Sequence, residues 1–163
     1  GAFGGDMSGN LIHAELLTEN GREKYSVEQM GYNYRTSALK RGEIKAIVLS
    51  ALLRLKNSTK DEVSVKIEQF SERRKATQPP GASMGSMFKN PAGDHAGRLI
   101  ESAGLKGTRI GNAEISTVHG NFFVNHGETK AEDVRALIRL VQTTVYEKFG
   151  VELELEVELV GEW

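Results

Sequence analysis

The apolar positions of this sequence fall into blocks of differing period, and the period assigns most of the elements. Leu11-Ile12-His13-Ala14-Glu15-Leu16-Leu17 is a strand, with Thr18-Glu19-Asn20-Gly21 as its turn. The Asn-Gly pair suits the positive φ of a tight hairpin, which predicts a second strand over residues 23–25. Ser26-Val27-Glu28-Gln29 has capping-box spacing and predicts a short helix that Gly31 closes. Residues 46–55 are almost continuously apolar. They read as a strand covered on both faces, with a helix as the alternative because of the alanine and leucine content.

Thr59-Lys60-Asp61-Glu62 is a second capping box, and the helix behind it carries Val63, Ile67 and Phe70 as one apolar stripe. Its end is marked by Arg73-Arg74-Lys75, cations that suit a helix C-terminus. Residues 76–84 hold two of the three prolines and mark a lobe boundary. Gly85-Ser86-Met87-Phe88-Lys89-Asn90-Pro91 follows as an extended segment, with Ser86, Phe88 and Asn90 on one face and Pro91 as its stop. Asp94 can cap a helix reaching Ala103, with Leu99, Ile100 and Ala103 inward and Gly104 as terminator. Residues 113–115 and 122–125 are short strands. A third capping box, Thr129-Lys130-Ala131-Glu132, opens the helix with the clearest period: Val134, Leu137, Ile138, Val141 and Val145, closed by Gly150.

The last segment alternates strictly. Val151, Leu153, Leu155, Val157 and Leu159 share one face, and Glu152, Glu154, Glu156 and Glu158 the other. Same-face neighbours on a strand lie about 6.8 Å apart. At an effective dielectric of 20 their repulsion is roughly 2.4 kcal/mol per pair. Either solvent screens all four, or one sits in a cleft where burial and its neighbours raise its pKa. Helices mixed with mostly non-repeating strands make an α+β fold.

Composition narrows the function. With 39% hydrophobic and 26% charged residues and a net charge of -1, the chain has an ordinary soluble globular composition and lacks the basic footprint of a nucleic-acid binder. The absence of cysteine removes thiolate nucleophiles and disulfides. His13, His95, His119 and His126 show no metal-binding spacing, so no metal is expected. No apolar run approaches the ~20 residues of a membrane span and no signal peptide is visible. A cytoplasmic location away from membranes is the expectation. The glycine runs fit neither a P-loop nor a dinucleotide fingerprint, and the Gly-x-Ser-x-Gly spacing of a serine hydrolase is absent. The chain opens on Gly1-Ala2-Phe3-Gly4-Gly5-Asp6 without an initiator methionine, as the interior of a longer protein would.

Six ordered blocks resemble one family, the MurB-type UDP-N-acetylenolpyruvoylglucosamine reductases of peptidoglycan precursor synthesis. Gly1-Ala2-Phe3-Gly4-Gly5-Asp6 is similar to the family's Gly-Ala-Tyr-Gly-Gly-Glu, Tyr34-Arg35-Thr36-Ser37 to its Tyr-Arg-x-Ser, and the segment from Gly85 to Pro91 to its Gly-Ser-x-Phe-Lys-Asn-Pro. The runs 96–107, 119–125 and 149–157 resemble later family blocks. The resemblance covers essentially the whole chain. It implies residues 1–75 as the end of an FAD-binding lobe, 76–150 as a substrate lobe, and 151–163 as a final strand that returns towards the first lobe.

The resemblance further implies an oxidoreductase in which NADPH reduces a bound FAD. The flavin then passes hydride to UDP-N-acetylglucosamine-enolpyruvate, giving UDP-N-acetylmuramate. Ser86 inherits the family's proton donor, Arg35 the clamp on the substrate carboxylate, and Glu156 the catalytic glutamate. A serine hydroxyl is a weak acid, able to serve only a strongly basic carbanion. Asn90 falls on a substrate contact. Tyr34, Lys89, Gln78 and His119 lie at or near further substrate positions, and Gly1, Ala2, Phe3 and Gly4 at the cofactor. Leu155 stands where the family usually has proline. The family's amino-terminal region, with most FAD contacts, has no counterpart here, so a second chain supplying it is expected for turnover. The alternative is an inactive UDP-sugar-binding fragment; a related flavin enzyme with another substrate is a third reading.

Overall fold

The computed structural model describes residues 4–162 and divides into two compact units, Gly1–Ile67 and Glu68–Trp163. In the first, a short helix α1 (Met7–Asn10) leads into a three-stranded antiparallel sheet of order β2-β1-β3. Its strands are β1 (Leu11–Thr18), β2 (Gly21–Ser26) and β3 (Ile47–Leu53). The β1–β2 hairpin turns at Asn20-Gly21, with Gly21 at φ 107. That is the left-handed region the Asn-Gly pair announces. Leu11, Ala14, Leu16 and Met30 form the unit's small core.

Three expectations in this region are corrected. The Ser26 box exists as hydrogen bonds: the Ser26 N–H donates to Gln29 Oε1 at 2.8 Å and the Gln29 N–H to Ser26 Oγ at 3.4 Å. It closes only a turn, not a helix, because Gly31 stops the chain at φ 54 before a second turn can form. β3 is a strand, as its apolar run predicts, yet every one of its residues is exposed instead of covered on both faces. Likewise α2 (Lys60–Thr77) is capped as expected, by Thr59 and Glu62, but Val63, Ile67 and Phe70 are all uncovered. Apolar patterning reports that a surface prefers burial; it does not supply the partner.

In the second unit a four-stranded antiparallel sheet of order β4-β7-β6-β5 packs on α4. The strands are β4 (Ala82–Ser86), β5 (Arg109–Ile110), β6 (Ala113–Ile115) and β7 (Phe122–Asn125); the helices are α3 (Ala96–Ser102) and α4 (Ala131–Phe149). The α4 stripe is buried as its period demands: Leu137, Ile138, Val141 and Val145 join Met87, Phe88, Leu99, Ile100, Ile115 and Leu153 in one core. Gly150 closes α4 at φ 67. The caps shift. Asp133, not Glu132, completes the α4 box, its Oδ2 accepting from the Lys130 N–H at 3.2 Å. Asp94 lies one residue before the α3 cap, its carboxylate taken by the His95 N–H and by Arg98. The β5–β6 hairpin, absent from the sequence reading, turns at Gly111-Asn112.

The alternating tail does not form a long strand. It makes one antiparallel bridge, Phe88–Leu155, inside the second unit. This pairing positions the site.

Candidate active site

Ser86 is the last residue of β4, opposite Phe122 of β7, directly after a register irregularity and Gly85 at φ 82. It is half-buried. From Met87 onward the strand has partners on both edges. On one, the Met87 N–H donates to the Asn121 carbonyl at 2.9 Å. On the other, the Glu156 N–H donates to the Met87 carbonyl at 2.9 Å and the Lys89 N–H to the Glu154 carbonyl at 2.8 Å. Ser86 and Glu156, 70 positions apart, are thus brought within one residue of each other across a hydrogen-bonded pair. Glu156 is half-buried, and it alone of the four glutamates is not exposed. Val157, Leu155 and Val151 pack against the core from the other face of the tail.

Lys89 is committed elsewhere. Its Nζ meets Glu154 Oε2 at 2.8 Å, and the ammonium holds the Glu154 carboxyl below its ordinary pKa. This pair relieves part of the like-charge repulsion along the tail. Asn90 is exposed, and its Oδ1 accepts from the Ala96 N–H at 3.1 Å, so its amide serves the start of α3. Gln78 follows α2 directly, its N–H on the Arg74 carbonyl at 2.9 Å. His119 accepts the Asn121 N–H at Nδ1 at 3.2 Å and packs edge-on against Phe122, ring centroids 4.9 Å apart. With Nδ1 acting as acceptor, the neutral ring carries its proton on Nε2. Burial pushes the His119 pKa below its usual value.

Arg35 belongs to the first unit. Asn33 and Thr36 exchange backbone hydrogen bonds at 3.1 Å in both directions, leaving Tyr34 and Arg35 as the two central residues of a tight turn. Arg35 sits at φ 56, a left-handed conformation uncommon for a residue with a side chain. Its guanidinium lies 5.4 Å from the centre of the Tyr34 ring. The two residues line a cleft of ≈ 420 Å³ together with Asp6, Ser8, Ser37 and Lys40. The opening glycine block and the Tyr-Arg block therefore share one polar cleft. Gly4 is an exposed turn residue at φ 86; Gly1, Ala2 and Phe3 lie outside the described residues.

Sequence reasoning missed Asn121. It is 3% exposed, and its amide bonds to both backbone groups of Phe88. The signal available was its place in a family-like block, His119 to Asn125, beside a strand, which says nothing about what the amide meets. Among the described residues no cluster of His, Asp or Glu could hold a metal ion, and no helix is long and apolar enough to cross a membrane.

The chain is an α+β protein with two antiparallel sheets, and its candidate groups lie on a tight turn of the first unit and a doubly paired segment of the second. The model for the UDP-N-acetylenolpyruvoylglucosamine reductase C-terminal domain matches residues 76–160. The UDP-N-acetylenolpyruvoylglucosamine reductase of Chloroflexus aggregans is 48% identical over 165 residues, which cover 98% of this chain and 55% of that protein. A Bacillus licheniformis reductase sequence is 43% identical, and the match covers 99% of this chain and 89% of that sequence. The crystal structure of MurB from Thermus caldophilus superposes with a TM-score of 0.82 at 40% identity, covering 97% of this chain and 56% of that one. The chain belongs to the UDP-N-acetylenolpyruvoylglucosamine reductase family. It spans about 55% of the length of the Chloroflexus relatives it matches.

Proposed function

We propose that this chain forms the substrate half of a reductase that converts UDP-N-acetylglucosamine-enolpyruvate to UDP-N-acetylmuramate for peptidoglycan. The observation that supports this reading is the bond from the Glu156 N–H to the Met87 carbonyl, which brings the backbone of a half-buried glutamate to the residue that follows Ser86 within the span matched by the family's C-terminal domain. Ser86 gives its hydroxyl proton to the carbon next to the substrate carboxylate. The basicity of that carbanion makes so weak an acid adequate. Arg35 is the cation assigned to the carboxylate, where charge grows in the transition state. Its turn is already formed, so little reorganisation accompanies binding. Glu156 is the acid–base group, on the segment paired with Met87. His119, Lys89 and Asn90 act in substrate binding, as do Tyr34, which is exposed, and Gln78, which is half-buried.

A flavin, when bound, supplies the hydride that NADPH provides. The cleft beside Arg35 does not make a phosphate site among the described residues: the Asp6 carboxylate lines it and the Ser8 hydroxyl is already given to Asp6 Oδ1 at 2.6 Å, so the cofactor's phosphate contacts are assigned to the part of the family's length that this chain does not span. Both faces of β3 stand uncovered and its outer edge has no partner among the described residues. This supports completion by the portion of the family's length that this chain does not span. A cytoplasmic location follows from the substrate.

The same uncovered β3 favours a second reading, a UDP-sugar-binding fragment without turnover. Mixing the purified chain with the amino-terminal part of a relative separates the two. The reductase reading expects substrate-dependent NADPH oxidation only in the mixture, with a yellow complex. Substrate binding without oxidation, in a complex that holds flavin, would establish the fragment reading.

A further inference from the structure

The segment that carries Ser86 is held by one side chain whose chemistry is that of a peptide unit. Asn121 is buried, and its Oδ1 accepts from the Phe88 N–H at 2.9 Å while its Nδ2 donates to the Phe88 carbonyl at 2.8 Å. Its own carbonyl takes the Met87 N–H at 2.9 Å, and its N–H is taken by His119 Nδ1 at 3.2 Å. All four polar groups of Asn121 are therefore used, three of them on the two residues that follow Ser86. This comes where the sheet cannot do the work: the β4–β7 ladder is irregular between Ser83 and Ser86 and ends there. Past that point the Phe88 amide and carbonyl have no strand opposite them on this side, and the asparagine amide takes the strand's place.

We infer that Asn121 is a positioning residue for the reduction, fixing the Ser86 hydroxyl through the Phe88 backbone. Near neutral pH only an amide offers one donor and one acceptor at this reach. An aspartate in its place keeps the acceptor but, when ionised, turns a carboxylate oxygen on the Phe88 carbonyl. A protonated carboxyl restores a donor. Misplacing a reacting group by about 1 Å can cost on the order of 100-fold in rate. The substrate-binding groups that lie elsewhere are not disturbed by that misplacement.

The inference rests on the assignment of Ser86 as proton donor, and the experiment separates the two. In the reconstituted reductase, stopped-flow spectroscopy follows flavin reduction by NADPH and reoxidation by substrate for Ser86→Ala and Asn121→Asp. Asn121→Asp is expected to leave reduction within about twofold and to slow reoxidation about 100-fold near neutral pH. The reoxidation-to-reduction ratio should recover as the pH is lowered and the new carboxyl takes up a proton. Should the variant fold only at acid pH, the unaltered chain provides a second reading: hydrogen exchange at the Phe88 amide is expected to be as slow as in β7. Rapid exchange at Phe88 overturns the inference. So does an Asn121→Asp enzyme whose two half-reactions fall together, or whose reoxidation is unchanged while Ser86→Ala abolishes it. Normal reoxidation in Ser86→Ala overturns the inference and the Ser86 assignment together.

Discussion

The backbone N–H of Glu156 donates to the carbonyl of Met87 at 2.9 Å, and this bond joins the tail of the chain to the strand that carries Ser86. Its twin, from the Lys89 N–H to the Glu154 carbonyl at 2.8 Å, brackets the Phe88–Leu155 bridge. Both bonds come from the neighbours of Leu155. The Leu155 amide is not one of the pair, so it contributes nothing to the aim of Glu156.

That geometry settles what leucine does where the family usually has proline. Proline removes the N–H, which the pairing does not use, and fixes φ at about −65°, within the range an extended segment tolerates. Leu155→Pro is expected to change unfolding free energy by no more than about 1 kcal/mol, from lost packing of a partly buried side chain. Reoxidation by substrate should be unaltered in the reconstituted enzyme. Denaturant unfolding and the half-reaction assay check both.

Gly120 is close-packed between α3 and the loop before β7. A methyl group there would stand 2.9 Å from the Gly97 carbonyl oxygen and 3.4 Å from the Ile100 side chain. The obstacle is backbone, which cannot swing aside. Gly120→Ala should destabilise the second unit by about 1–3 kcal/mol, the usual cost of overpacking, seen as a lower denaturant midpoint with an unchanged slope.

Stability should fall as the pH is lowered through the histidine range. Burial holds the folded His119 pKa below the ordinary value of 6.5, so the unfolded chain binds the proton more readily. The stabilisation is complete above about pH 6.5 and is lost as pH falls towards the folded pKa. Protonation also ends the acceptor role of Nδ1 towards the Asn121 N–H. Urea midpoints measured from pH 7.5 down to 5 should decline, and His119→Asn should flatten the decline. A pH-independent midpoint in the native chain would remove this account of His119.

Asp94 titrates far below its usual range. Its hydrogen bond with Arg98 is the largest cause and the His95 N–H the next, and together they bring it to about 2. Arg98→Met should return the carboxyl most of the way towards 3.8, read by NMR titration of the Asp94 carboxyl carbon. The contribution to stability is present above pH 3.8 and disappears as pH falls towards 2.

Much of the fold is legible in the residues. The α4 stripe, the Asn-Gly hairpin, and the two short strands ending at Ile115 and Asn125 follow from period and turn chemistry, because their partners are local or lie within one core. β3 and α2 mislead in one respect only. Their apolar faces state a need for cover, yet β3 is exposed and α2 has no buried residue. At the candidate site, Ser86 and Glu156 are proposed from ordered family blocks. The uses of Lys89 and Asn121 were not, since each depends on a partner 65 or 33 positions away that periodicity does not reveal.

The most direct test of the central claim is the pair of half-reactions of Ser86→Ala in the complete reductase, followed at the flavin absorbance. Reduction by NADPH should proceed at close to the native rate, and reoxidation by UDP-N-acetylglucosamine-enolpyruvate should fall by at least about 100-fold, the low end for a lost general acid. Reoxidation at the native rate would contradict the role assigned to Ser86.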